Sequence, residues 1–218
     1  PAMTENRRPI SARNSGLMRK LAAAIARNGQ ITPNQISCLS SAAAAAGAFF
    51  LILPGQTPAA LAACALFIQL RLLCNLIDGM VAVEGGKKTA AGELYNELPD
   101  RLSDSLLLVA LGYACGAGWL GWLAALLAAF TAYIRVFGGS TGLAQSFRGP
   151  MAKQHRMAVL TAACLAAAAE QLSLGSAHSL TAALAIITIG SAATCVLRTR
   201  DIARALEERA AKTDGAQP

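Results

Sequence analysis

The sequence predicts an all-α integral membrane protein, with six transmembrane helices behind an N-terminal interfacial amphipathic helix. Three observations predict it. The 218 residues are 55% hydrophobic and only 14% charged, with a mean hydropathy of +0.46. Soluble chains average roughly 25% charged residues, so this one has too few charges to wet a globular surface. Its apolar residues form runs close to the roughly 20 needed to cross a bilayer. Its 19 basic residues fall in clusters that alternate with loops lacking Lys and Arg. Disorder and collagen-like repeats are excluded by this composition. So is a nucleic-acid-binding coat, despite a net charge of +7, and no nucleic-acid partner is expected.

Residues 1–34 form a basic cytoplasmic segment with Arg7, Arg8, Arg13, Arg19, Lys20 and Arg27. They lack the apolar centre of a cleavable signal peptide. Within them, Ser15–Asn28 reads as an interfacial helix. Leu17, Met18, Leu21, Ala22 and Ile25 recur at helical spacing while Arg19, Lys20 and Arg27 stay wet. Thr32-Pro33-Asn34 breaks the chain before the first span. The six spans are 36–53, 58–82, 98–115, 118–137, 157–174 and 179–197, inside a domain of residues 35–198. Residues 199–218 form a cytoplasmic tail; Arg198–Lys212 is a basic, helix-prone segment and Gly215–Pro218 is expected to be disordered.

The loops Pro54–Pro58, Gly116–Gly118 and Ser173–His178 contain no Lys or Arg, whereas the termini and the other two loops hold the basic clusters. By the positive-inside rule both termini are cytoplasmic, in a multi-pass protein of the bacterial inner membrane. A soluble bundle of Ala/Leu helices would leave this alternation unexplained. Trp119 and Trp122 fall at the opposite face, as belt residues. Cys38, Cys64, Cys74, Cys115, Cys164 and Cys195 each sit in an apolar run without a C-x-x-C pair, as small core residues.

The acidic residues locate the chemistry. Of 12 in the chain, Asp78, Glu84, Glu93, Glu97, Asp100 and Asp104 lie within one short stretch. Carboxylates at a bilayer edge are costly and point to pairing or metal binding. Glu97 and Arg101 have the i,i+4 spacing of a plain salt bridge. Gly92, Asn96, Asp100 and Asp104 recur every fourth residue, and so line one stripe of a helix. Arg71, Asn75 and Asp78 share a face of the preceding helix. An antiparallel pair brings the two stripes together. Oxygen ligands of this kind suit Mg2+, Mn2+ or Ca2+ rather than zinc. Gly79, Gly85, Gly86 and Gly92 leave room for a bulky anion, and Lys87 and Lys88 can meet its phosphates. Gly138–Gly142 is phosphate-loop-like only in composition, and His155 is a lone interfacial candidate.

The segment Asn75-Leu-Ile-Asp78-Gly79-Met-Val-Ala82-Val83, eight residues, then Gly92-x3-Asn96-x3-Asp100 resembles the signature of the CDP-alcohol phosphatidyltransferases, D-x2-D-G-x2-A-R-x8-G-x3-D-x3-D. All the spacings agree. Thr32-Pro33-Asn34 resembles the family's N-terminal motif, and Arg148–Arg156 resembles its second phosphate-binding region. The departures are Asn75 and Asn96 for two aspartates and Val83 for the arginine. The resemblance implies transfer of a phosphatidyl or related phospho-alcohol group from a CDP-linked lipid, such as CDP-diacylglycerol, to an acceptor alcohol, with release of CMP. It implies a metal site of Asn75, Asp78, Asn96 and Asp100 for one or two Mg2+ or Mn2+ ions; because only two of these are carboxylates, either one ion binds without the substrate or Glu97, Asp104 or Glu84 restores the missing charge. Asp100 is the implied base, and Asp104 opens a second register one turn on. Gly79, Ala82, Gly85, Gly86, Lys87, Lys88 and Gly92 are implied for the nucleotide and its phosphates. Arg135, Arg148, Lys153 and Arg156 are implied for the acceptor's phosphate. The resemblance also implies a homodimer and leaves the acceptor open. The two asparagines keep a second reading open, a protein of the same fold that binds CDP-lipids without turnover.

Overall fold

The structure, a computed structural model, describes residues 16–28, 32–84 and 92–214. Among these the chain forms seven helices: α1 (Gly16–Asn28), α2 (Pro33–Ile52), α3 (Pro58–Glu84), α4 (Gly92–Ala114), α5 (Gly118–Ser140), α6 (Lys153–Leu174) and α7 (His178–Asp214). The Thr32-Pro33-Asn34 break is a helix start. The Thr32 hydroxyl accepts from the Gln35 amide at 3.2 Å, and the Gln35 side chain accepts from the Thr32 amide at 2.9 Å. With Pro33 in the first turn, this reciprocal pair satisfies donors the helix cannot. Gly175, with φ +65°, ends α6 in the left-handed conformation.

Helices α2 to α7 close into a ring. In spatial order α2 packs on α3, α3 on α6, α6 on α7, α7 on α5, α5 on α4 and α4 back on α2. Inside it lies one apolar core that includes Leu51, Leu61, Ile68, Leu107, Leu111, Leu160, Leu184 and Ile187. The outside is also apolar: Phe49, Leu66, Trp119, Trp122, Leu126, Leu165 and Ile189 are all exposed. A bundle greasy on both sides has lipid as its solvent. Helices α2, α3, α5, α6 and α7 are long and apolar enough to cross a membrane. Helix α4 does not qualify on composition, because Glu93, Glu97, Asp100, Arg101 and Asp104 interrupt it. At the α4–α5 crossing, a Cβ on Gly112 would lie 2.5 Å from the Gly121 Cα. Only glycine permits this backbone approach, the usual small-residue contact of membrane helices.

The helices outrun the apolar spans. Helix α4 starts at Gly92 rather than residue 98, α6 at Lys153 rather than 157, and the basic tail continues α7 to Asp214. Charged residues end an apolar run without ending a helix, which explains each difference. Helix α1 packs on α3 through a small cluster of Met18, Ala22 and Ile25 against Cys74, Ile77 and Val81. Leu21, on the same apolar side of α1, is exposed; the face packed on α3 follows i, i+4, i+7 from Met18.

Candidate active site

Short turns return the chain between α2 and α3, α4 and α5, and α6 and α7. One end of the ring therefore collects the starts of α2, α4 and α6 and the C-terminal parts of α3, α5 and α7. The polar side chains gather there. Arg71, Asn75 and Asp78 from α3 face Asp100 and Asp104 from α4, and Lys153 and Arg156 from α6 close the third side.

The deepest layer is ionic. Asp104 accepts from Arg71 Nη2 on Oδ1 at 2.6 Å and from Arg156 Nη2 on Oδ2 at 2.7 Å. All three side chains are buried. Arg71 also donates to the Asp100 carbonyl at 3.3 Å, so α3 grips both the backbone and the side chains of α4. Arg156 Nη1 donates to the Met151 carbonyl at 3.0 Å.

One turn outward lies Asp100. Its Oδ1 accepts from Asn75 Nδ2 at 2.8 Å, and its Oδ2 accepts from Lys153 Nζ at 2.5 Å. Beside it, Asp78 Oδ2 accepts from the Ser37 hydroxyl at 2.6 Å. The other oxygen, Asp78 Oδ1, is buried without a hydrogen-bond partner. An orphaned carboxylate oxygen with the Asn75 amide one turn away is a donor set for a hard divalent cation. Among the described residues, no three His, Cys, Asp or Glu side chains converge into a ready-made cage. Asp78 Oδ1 is the buried carboxylate oxygen in this cluster with no hydrogen-bond partner among the described residues.

A third layer reaches the surface. Glu97 pairs with Arg135 at 2.6 Å and with Arg101 at 3.1 Å. Burial works against the Glu97 charge, yet the Arg101 and Arg135 guanidiniums outweigh it and hold the carboxyl below its ordinary value. Arg135 also donates to Gln145 at 2.9 Å and lies 5.3 Å from the Phe147 ring centre.

The segment before α6 is strapped to α7, which fixes where Lys153 and Arg156 emerge. The Met151 amide donates to Thr194 Oγ1 at 2.9 Å, and Arg198 Nε donates to the Arg148 carbonyl at 2.8 Å. Gly149 has φ +126°, and a Cβ there would stand 2.5 Å from Thr194 Cγ2. Both the conformation and the space demand glycine.

Several expected residues stand apart from this cluster. Asn96 is exposed, one turn outward of Asp100. Arg148 pairs with Asp201 of α7 at 3.2 Å rather than turning inward. His155 Nδ1 contacts the Pro150 carbonyl at 2.8 Å. Gly79 and Ala82 line the last turns of α3, and Gly92 opens α4. Gly85, Gly86, Lys87 and Lys88, and the Glu84 side chain, lie outside the described residues. Sequence reasoning did not single out Ser37, Thr194 or Arg198 for the site. Each is a buried polar residue near the polar end of an apolar helix, and that position was the available signal.

No curated protein matches the chain. Solved structures similar to it include phosphatidylinositol phosphate synthase PgsA1 of Mycobacterium tuberculosis with CDP-DAG bound. The TM-score is 0.72 at 20% identity, over 86% of this chain and 94% of that one. The same synthase in complex with manganese and citrate gives 0.71 at 21% identity, over 85% and 88%. At such identity the likeness shows a shared fold. Residues 30–197 match the CDP-alcohol phosphatidyltransferase family, a stretch that takes in nearly all of the ring and every described residue of the ionic cluster. The chain belongs to the CDP-alcohol phosphatidyltransferases, multi-pass membrane transferases of phospholipid synthesis.

Proposed function

We propose that the protein transfers a phosphatidyl or related phospho-alcohol group from a CDP-linked lipid of the CDP-diacylglycerol type to an acceptor alcohol, releasing CMP. The observation that carries this reading is the pair of motif carboxylates. Asp78 holds an orphaned oxygen for a cation, and Asp100 lies across from it on the facing helix. A divalent Mg2+ or Mn2+ ion, when bound, neutralises the pyrophosphate and steadies the CMP leaving group. The chain's own residues do the rest. Ser37 fixes the Asp78 carboxylate, leaving Oδ1 to face the ligand. Asp100 takes the proton from the attacking hydroxyl, which breaks the pyrophosphate bond at the lipid-bearing phosphorus. Lys153 and Arg135 stand where an anionic acceptor can exchange with their present carboxylate partners. Gly79, Ala82 and Gly92 keep the helix ends slim beside the nucleotide.

In this reading α4 is the sixth crossing. Its charges are tolerable because they face the ring rather than lipid. Helix α1 lies along the interface, and both termini are cytoplasmic in the bacterial inner membrane. Cysteine labels at Gln56 and Gly116 are expected to react from outside intact cells, and one at Gln154 only after permeabilisation. The reverse pattern would remove the active site from the cytosol and with it this donor.

The test is CMP release from radiolabelled CDP-diacylglycerol by purified protein in detergent, screened against glycerol phosphate, inositol phosphate, serine and lipid alcohols. Divalent-ion-dependent release with at least one acceptor is expected. The asparagines favour one rival, binding without turnover. Tight CDP-lipid binding with no CMP from any acceptor would establish it.

A further inference from the structure

Asn75 and Lys153 have a joint explanation. A carboxylate is an acceptor only, so Asn75 must present its NH2 to Asp100, leaving its carbonyl oxygen on the other branch of the amide. An aspartate at position 75 would repel Asp100 unless a cation sat between them. Here an N–H at 2.8 Å does that work on Oδ1, and an ammonium at 2.5 Å covers Oδ2. Lys153 is also oddly placed for a helix. It opens α6, where the helix dipole disfavours a cation, and Asp100 supplies the compensation.

Charge balance points the same way. Asp78, Asp100 and Asp104 carry −3 together, and Arg71, Lys153 and Arg156 carry +3; Arg101, 3.9 Å from Asp100, is offset by Glu97 at 3.1 Å, so the inner site is neutral before any ligand enters. The pyrophosphate of a CDP-alcohol brings two negative charges. One divalent cation restores neutrality, whereas a second would leave a buried excess of two positive charges.

Building on the transferase reading, we infer that this site takes a single divalent cation, at Asp78. Lys153 Nζ, with Asn75 Nδ2, occupies the place of a second one against Asp100. The ammonium is a tethered cation: it neutralises Asp100 in the resting site and is free to swing to a phosphate when substrate arrives.

Counting Mn2+ on the full-length protein in detergent tests this without turnover. Equilibrium dialysis with excess CDP, corrected for nucleotide-bound metal, should give one Mn2+ per chain, and its electron paramagnetic resonance spectrum should show no spin coupling. The double variant Asn75→Asp with Lys153→Met should rise to two, with an exchange-coupled spectrum. Asn75→Asp alone, keeping the lysine, should stay at one. Two ions on the unmodified chain, or none, would overturn the inference whether or not the variants fold. A well-folded double variant that still binds one would overturn the role given to Lys153 and Asn75. The outcomes separate from those of the transferase reading. Two ions with CMP release end only this inference, and one ion without release from any CDP-alcohol ends only that reading.

Discussion

Asp104→Ala is expected to be the most destabilising single substitution in the ionic cluster. It removes the closest acceptor of two guanidiniums that are 0% and 1% exposed, leaving Arg156 without a carboxylate and Arg71 with only Asp100 at 3.7 Å. Breaking a buried ion pair from one side typically costs about 3–5 kcal/mol, a large part of the roughly 5–15 kcal/mol that holds a domain together. Thermal unfolding in detergent should show a drop of many degrees, with aggregation on size exclusion. The apolar triple variant Arg71→Met, Asp104→Leu, Arg156→Met should recover most of the loss, since well-packed apolar replacements of such triads are often neutral or better. An Asp104→Ala protein that melts with the unmodified chain would mean that the arginines have other partners. An Asp104→Asn protein of full stability and no turnover would shift the catalytic register one turn along α4.

The larger effect on chemistry is expected at Asp78 and Asp100. Asparagine is nearly isosteric with aspartate, so Asp78→Asn and Asp100→Asn should fold and insert normally. Asp100→Asn removes the proton acceptor, and a positioned general base is worth roughly 10²–10⁴-fold in rate. Asp78→Asn removes the one anionic oxygen left free for a cation, in a site whose electrostatic terms are of similar size. Initial rates of CMP release should fall by about 10³-fold in each, with unchanged melting profiles. Undiminished release by Asp100→Asn would remove its role as base.

How much of this was legible can be seen residue by residue. Apolar runs and loop charge are one-dimensional properties, so five of the six spans coincide with helices that qualify on composition, and the sixth with α4. The stripe from Asn75 to Asp78 and from Asp100 to Asp104 was legible because helical periodicity puts residues three or four apart on one face. Partnerships across helices were not. Ser37 meets Asp78 over 41 residues, Lys153 meets Asp100 over 53, and Arg198 meets Thr131 over 67. Nothing local encodes such distances. Arg148, grouped with the acceptor-binding cations by proximity in sequence, instead turns to α7, because the backbone reverses at Gly149.

The salt bridge between Arg71 and Asp104 also bears on how the chain enters the bilayer. Helix α4 is too polar to partition on its own, and α3 carries an arginine in its midst. Joined as a hairpin, the two cancel a pair of charges that neither could bring into hydrocarbon alone. With α4 as the proposed sixth crossing, entering together as a hairpin is therefore the less costly route for the two segments. Arg156 arrives last, on α6, and completes the neutralisation of the cluster. The ion pairing that organises the finished site thus also lowers the cost of placing these polar segments side by side in lipid.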